Sequence, residues 1–504
     1  MNLSRKHLGN IRSAQSALPG ENIFELPEKI LQFGTGVLLR ALPDYFVDKA
    51  NRQGIFNGRI LVVKSTKTGD TTAFNQQDGM YTLCIRGVEN GAPVDQAVIS
   101  SAISRVISAN HQWTDLLAAA ANPSLQIVIS NTTEVGIQLH EESIFQNPPE
   151  SFPAKLLAFL FERFKLFNGA PHAGMVIIPT ELLTDNGKKL KSILFELASF
   201  NQLDQPFMDW LDKHQRFCNS LVDRIVPGKP DPVTKENLEK EWGYQDDLMS
   251  ICEPYCLWAI EGDDSVREKL SFCKADKGVI ITPDISKYKE LKLRMLNATH
   301  SLSCGLAYLS GFKTVKSAME DPVFESYIKN LMMDEIAHAI PSDDLEEAEI
   351  HSFGLNVLDR FRNPYLQHQW ISITMQYSSK LAMRVLPVVH KYFELYNKPP
   401  ELISMGFAGY ILFMRPVKKE SDKFYGILNN HFYPIQDDRA VQFFGLWEER
   451  SIDTIVTKIL SDTDLWSEDL TRLEGFASSI SRKLKSFIRH GTMLEIAAYS
   501  KPAL

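Results

Sequence analysis

The chain of 504 residues is 44% hydrophobic and 23% charged, the balance of an ordinary soluble globular protein, and it is long enough to require two large domains. A net charge of -8 and a pI near 5.9 exclude the basic face that a nucleic-acid partner would demand. The start, MNLSRKHLGN, lacks the apolar core of a signal peptide, and no apolar run approaches a membrane span, so a cytoplasmic protein without a membrane partner is expected. Six scattered cysteines (Cys84, Cys218, Cys252, Cys256, Cys273 and Cys304) are too sparse for a disulfide framework. The closest pair, in CEPYC, has no second pair or histidine cluster beside it, so no metal site is expected.

The first informative segment is KILQFGTGVLLRALPDYFVDKA, in which a short apolar run ends at Phe33, passes through Gly34-Thr35-Gly36 and continues from Val37 with helical periodicity. Strand, glycine turn and helix form the context of a dinucleotide fingerprint, although Leu39 stands where a third glycine would be. RILVVKS is the next strand and GDTTAFNQQDG a polar loop before a hairpin. The helix WTDLLAAAA then leads into LQIVIS, which ends at Asn131-Thr132-Thr133-Glu134. AKLLAFLFERF, GMVIIP and GVIITPD continue the alternation, which predicts a parallel sheet with helices on both faces.

Candidate cofactor contacts are therefore Phe33, Gly34, Thr35, Gly36 and Val37 at the glycine turn, with Asn131, Thr132 and Glu134 after the later strand. The second strand ends in Lys64-Ser65-Thr66-Lys67, with no acidic residue for a ribose hydroxyl. NAD and NADP both stay open on the residues alone.

Past Asp284 the periodicity turns almost wholly helical, in SLSCGLAYLSGF, SFGLNVLDRF, WISITMQYSSKLAMRVLPVVHKYF and TIVTKILSDTDLW. The expected domains are a Rossmann-like α/β domain over 1–284 and a helical substrate-binding and catalytic domain over 285–504. The stretch KLRMLNATH lies just after that boundary. On an α-helix Lys292, His300 and Asn297 fall at about 0°, 80° and 140°, sharing one arc with Leu293 and Leu296. Polar groups mixed with leucines on one arc point to a lined interior space, where a lysine loses hydration and becomes a candidate proton carrier. Tyr288 and Lys292 also form a YxxxK pair, but in the wrong part of too long a chain for a short-chain dehydrogenase. DEIAH lacks the first histidine of a zinc helix.

The Lys-x4-Asn-x2-His spacing of Lys292, Asn297 and His300 resembles the signature of the long-chain mannitol dehydrogenase family. QFGTGVLLRA, SNTTEVGI, ELLTDNG, SLVDRIVP, RFRNPYLQHQ and YPIQDD extend that resemblance over nearly the whole chain. The resemblance implies an NAD(H)-dependent, metal-independent interconversion of a secondary alcohol and a ketone. Lys292 would be the general acid-base, with Asn297 and His300 positioning the substrate and polarising its carbonyl.

Two departures bear on the substrate. PTEL puts Leu182 where polyol-type members have an asparagine, and Ser372 stands where an arginine is expected eight residues before Lys380. Arg362, His368, Lys380 and Arg384 form a cation supply suited to a sugar acid's carboxylate. Surface ion pairing is the plain alternative for Arg362 and Arg384. A hexitol or mannonate dehydrogenase, and a non-catalytic binding protein on the same fold, are the alternatives for the whole chain. A monomer or small homo-oligomer is expected.

Overall fold

The computed structural model describes residues 1–11, 16–133, 135–342 and 344–499. The chain divides into two compact units. One comprises Met1–Arg86 and Pro93–Ile285, the other Gly87–Ala92 and Ser286–Leu504.

In the first unit six parallel strands form one sheet. In spatial order they are Ile103–Ser108, Arg59–Lys64, Glu28–Phe33, Ile127–Ser130, Val176–Pro179 and Arg216–Phe217. Numbered along the chain this is 3-2-1-4-5-6, the doubly wound order, with its switch point between Glu28–Phe33 and Ile127–Ser130. The central strands are apolar on both faces because each feeds two cores. Ile30, Ile60, Val62, Ile127 and Ile129 enter one, and Leu31, Phe33, Leu61, Val63 and Val128 the other. Each such side chain, fully buried, contributes about 1.5–3 kcal/mol of transfer free energy. The helix Phe152–Leu166 covers the second core; it starts where the Ser151 side chain accepts the Ala154 amide, with a proline in its first turn.

Two details of this unit differ from the sequence reading. GVIITPD does form a strand, Val279–Thr282, but it pairs with Leu257–Glu261 in a separate three-stranded sheet. The expected polar loop GDTTAFNQQDG contains a short helix, Thr72–Gln76, anchored by the buried Phe74.

The second unit is mainly helical. Helix Thr299–Leu309 packs on Glu401–Phe413 at close range, because a Cβ on Gly406 would stand 2.6 Å from Leu302 Cδ2 and 2.9 Å from its carbonyl oxygen. The unit also holds an antiparallel sheet, Lys418–Glu420, Lys423–Leu428 and His431–Ile435, which the helical reading passed over. KFYGIL and HFYPI are joined by Asn429 and Asn430, both at positive φ, the two-residue turn that sets adjacent strands in register.

Candidate active site

Strand Glu28–Phe33 delivers the glycine turn to the carboxyl edge of the first unit's sheet, beside the switch point. Gly34 has φ +127°, and a Cβ there would lie 2.9 Å from the Asn131 carbonyl oxygen and 2.8 Å from Leu39 Cδ1. Only glycine lets the two strand ends approach this closely. At Gly36 a Cβ would meet nothing within 4 Å, and among the described residues no side chain caps the amides that open helix Val37–Ala41. A bare, open turn ending in uncapped amides fits a dinucleotide's pyrophosphate. Thr35 and Val37, half-buried, flank it.

Phe33 is the first of the expected cofactor contacts. Its ring is fully buried and packs 5.1 Å from that of Phe152, so only its backbone belongs to the turn, where its carbonyl accepts the Asn131 amide at 3.1 Å. Across the switch point Asn131 Nδ2 donates to the Thr180 hydroxyl and carbonyl at 3.0 and 3.2 Å. The Thr132 amide and hydroxyl both donate to Glu181 Oε1, at 2.9 and 3.0 Å. Glu181 is buried, and burial pushes its carboxyl up while the hydrogen bonds from Thr132 and Ser130 oppose the shift. It organises this loop, and sequence reasoning missed it by attending to its neighbour Leu182, which is 60% exposed. Glu134 lies outside the described residues. At the end of the second strand Lys64 Nζ donates to the Thr66 carbonyl at 2.5 Å, and Lys67 pairs with Glu150 at 3.0 Å in solvent.

In the second unit the segment Lys292–Ala298 is a π-helical turn continuous with Ser286–Leu291 before it and Thr299–Leu309 after it. The 100° spacing therefore does not hold here: i→i+5 bonding widens the turn and moves every side chain from its expected place. Lys292 and Asn297 are half-buried, whereas Met295, Leu296 and Ala298 are buried. His300 is enclosed. Its ring stacks on Phe361 with centroids 4.3 Å apart and planes 7° apart, and meets His368 and Trp370 edge-on at 5.4 and 5.9 Å. Burial first, then the charges of His368, Arg360 and Arg384, hold its imidazole well below the usual histidine range. Nε2 of this neutral ring is buried with no hydrogen-bond partner among the described residues.

The four expected substrate cations divide. Arg384 Nη1 donates to Ser301 Oγ at 3.1 Å, and its buried Nε has no partner among the described residues. Lys380 uses one of its three protons on the Ile373 carbonyl at 3.1 Å; burial and then Arg384 push it below the ordinary lysine range. His368, partly open to solvent, is pushed down by the protein packed around it and then by Lys380. Arg362 is paired within the protein: its guanidinium is engaged by Glu325 through Nε, at 3.0 Å, and Nη2, and lies 3.6 Å from Asp359. Two carboxylates thus already balance this arginine's charge. The helix bearing Lys380 and Arg384, Tyr377–Tyr396, is locked to the π turn by Arg294, whose Nη1 donates to the Met383 and Arg384 carbonyls at 2.8 and 2.7 Å. Ser372 is exposed.

Comparison with known proteins adds to this geometry. The family models for the mannitol dehydrogenase Rossmann domain and the mannitol dehydrogenase C-terminal domain match residues 28–274 and 284–488. The chain belongs to the mannitol dehydrogenase family. It is accordingly an oxidoreductase acting on a CH–OH group. It is 37% identical over 484 residues to the altronate oxidoreductase of Yersinia enterocolitica, covering 94% of this chain and 97% of that one. It is 34% identical over 476 residues to that of Halalkalibacterium halodurans, covering 93% and 92%. Among solved structures, Pseudomonas fluorescens mannitol 2-dehydrogenase, in a ternary complex with NAD and D-mannitol, matches all of both chains with a TM-score of 0.67 at 21% identity. A substrate-free D-sorbitol dehydrogenase matches 98% of this chain and all of its own with a TM-score of 0.79 at 19% identity, which shows the shared fold. No described helix is long and apolar enough to cross a membrane, and no group of three metal-ligating side chains occurs among the described residues.

Proposed function

We propose that this family member is an NAD(H)-dependent oxidoreductase that interconverts D-tagaturonate and D-altronate. The observation that carries the reading is the pair Lys380 and Arg384. Both are pushed down by burial, neither forms an ion pair with a carboxylate among the described residues, and both are held on one helix by the segment that bears Asn297 and His300. A desolvated, unneutralised arginine and lysine suit an anionic substrate group and gain nothing from a neutral hexitol. The relatives named altronate oxidoreductase support the same substrate class.

The bare turn from Gly34 to Gly36 would hold the pyrophosphate of a nicotinamide cofactor, which when bound would supply or accept the hydride. Lys292 carries the hydroxyl proton. Neutral His300 donates from Nε2 to the substrate oxygen in the tautomer that protonates that nitrogen, and Asn297 orients the same oxygen; donors aimed there stabilise the alkoxide as hydride leaves. Because Lys64 and Lys67 are occupied by Thr66 and Glu150, NADH is preferred, and with no carboxylate at this strand end NADPH is tolerated. The test is a panel of hexonates and hexitols with NAD, and tagaturonate with NADH and NADPH. Higher kcat/KM for altronate than for mannitol or mannonate, and for NADH than for NADPH, is expected. Equal use of mannitol overturns the substrate assignment, and a preference for NADPH overturns the cofactor assignment.

A further inference from the structure

Helix Tyr377–Tyr396, which carries Lys380 and Arg384, begins without a cap of its own. Gln376 precedes it in the left-handed conformation, φ 52° and ψ 48°, and caps nothing with its side chain. The missing acceptor comes from YPIQDD, about sixty residues further along. Asp437 Oδ2 accepts the Ser378 amide at 2.7 Å, and Oδ1 accepts the Ser378 hydroxyl at 2.9 Å and the Arg439 amide at 2.9 Å. The Gln376 amide donates to the Gln436 carbonyl at 2.8 Å, and its side chain to Asp438 Oδ1 at 3.0 Å. Tyr410, fully buried and so kept protonated, donates to Ser378 Oγ at 2.7 Å, since that hydroxyl's own proton goes to Asp437. On its other side the first turn is tied to the helix bearing His300, through Tyr377 Oη accepting the Gly305 amide at 3.2 Å.

We propose that Asp437 is a positioning residue for substrate selection: by fixing the first turn of this helix it places Lys380 and Arg384 against the sugar acid's carboxylate. This rests on the reading that those two cations hold the carboxylate. Asp437 also acts as the nearby anion of the cluster. The charged and titratable groups facing Lys380 are Arg384 one turn along its own helix, Cys304 on Thr299–Leu309, His368 on the preceding loop and Asp437. Burial and Arg384 favour neutral Lys380, and Asp437 opposes them. Without that anion Lys380 gives up its proton at lower pH.

The experiment is steady-state kinetics on the full chain with altronate across pH 7 to 10, for Asp437→Asn, Lys380→Ala, Lys380→Arg and the double variant Asp437→Asn/Lys380→Arg, each checked for an unchanged melting curve. For Asp437→Asn we expect KM for altronate to rise roughly tenfold with kcat little changed. Its KM should begin to climb at lower pH than in the unmodified enzyme. In the double variant the guanidinium stays charged, so that pH shift should vanish relative to Lys380→Arg. Unchanged KM and unchanged pH profile in Asp437→Asn, while Lys380→Ala raises KM, overturns the role of Asp437 alone. Unchanged KM in Lys380→Ala overturns the carboxylate reading beneath it. If Asp437→Asn does not fold, Ser378→Ala, which removes only the hydroxyl bridge, must still raise KM without altering kcat, and equal losses in both overturn the proposal.

Discussion

The two units build their candidate sites by opposite means. In the first the decisive feature is side chain that is missing: Gly34 permits an approach of backbone to backbone that any Cβ would block at 2.9 Å, and Gly36 leaves open space above uncapped amides. In the second the decisive feature is side chain deprived of water: a neutral, enclosed His300, and Arg384 with an Nε that has no partner among the described residues. A site of the first kind tolerates no added atom. A site of the second kind is damaged by a lost one, because the His300 ring and the Arg384 Nε are already withdrawn from water.

The largest effect expected from breaking this contrast is at Lys292. Lys292→Ala should lower turnover a hundredfold or more, in line with losses of about 10²–10⁴ for a missing general base, while NADH binding followed by nicotinamide fluorescence stays unchanged. Near-normal turnover would remove Lys292 from the proton chemistry. Gly34→Ala should do the reverse. Strain of about 1–3 kcal/mol at a positive φ, added to the clash with Asn131, should weaken NADH binding roughly tenfold or more. Turnover at saturating NADH should change far less. If Gly34→Ala binds NADH normally, the turn is not the pyrophosphate site.

The same contrast explains which parts were legible in the sequence. The glycine turn was readable because strand, glycine and helix are local and their consequence is a backbone shape. Lys292, Asn297 and His300 could be picked out by type and spacing, but their directions could not. The i→i+5 turn leaves no trace in apolar periodicity, so a 3.6-residue wheel misplaces all three. Partners distant in sequence were equally hidden: Glu325 lies 37 positions before the Arg362 it neutralises, and Glu181 49 positions beyond the Thr132 it holds. The sheet built from KFYGIL and HFYPI was legible, since an Asn-Asn pair between aromatic-rich runs is a hairpin signal, but the helices on either side dominated the reading.

A smaller effect separates the two arginines that looked alike. Arg384→Ala should reduce the preference for altronate over the matching hexitol roughly tenfold, since a charge-assisted hydrogen bond contributes about 1.5–3 kcal/mol. Arg362→Ala should leave that ratio within about twofold, because its guanidinium already serves Glu325 and Asp359. Specificity constants for both substrates decide it, and an equal loss in the two variants would erase the distinction between a neutralised and an unneutralised cation.

The smallest effect is a test of the enclosure around His300 by stability. Its imidazole is held well below the usual range in the folded chain, whereas in the unfolded chain it protonates near pH 6.5. As pH falls below about 6.5 the unfolded state therefore binds a proton that the folded state refuses, and stability declines. The contribution is fully present above that pH and is lost progressively on acidification. The loss deepens as pH drops further beneath that value, because the enclosed ring takes up no compensating proton. His300→Gln keeps a polar side chain of similar reach without the titration. Between pH 7.5 and 5.5 the unmodified protein should lose about 1 kcal/mol more stability than this variant, read as the difference in their urea midpoints at each pH. Comparing the two proteins cancels the groups that move the other way, such as Asp44, whose burial raises its carboxyl to about 8, and Glu335, raised to about 7. Parallel pH dependences would mean that the ring takes up its proton inside the fold. The contrast between a site made of absent atoms and one made of desolvated atoms would then fail at its most enclosed residue.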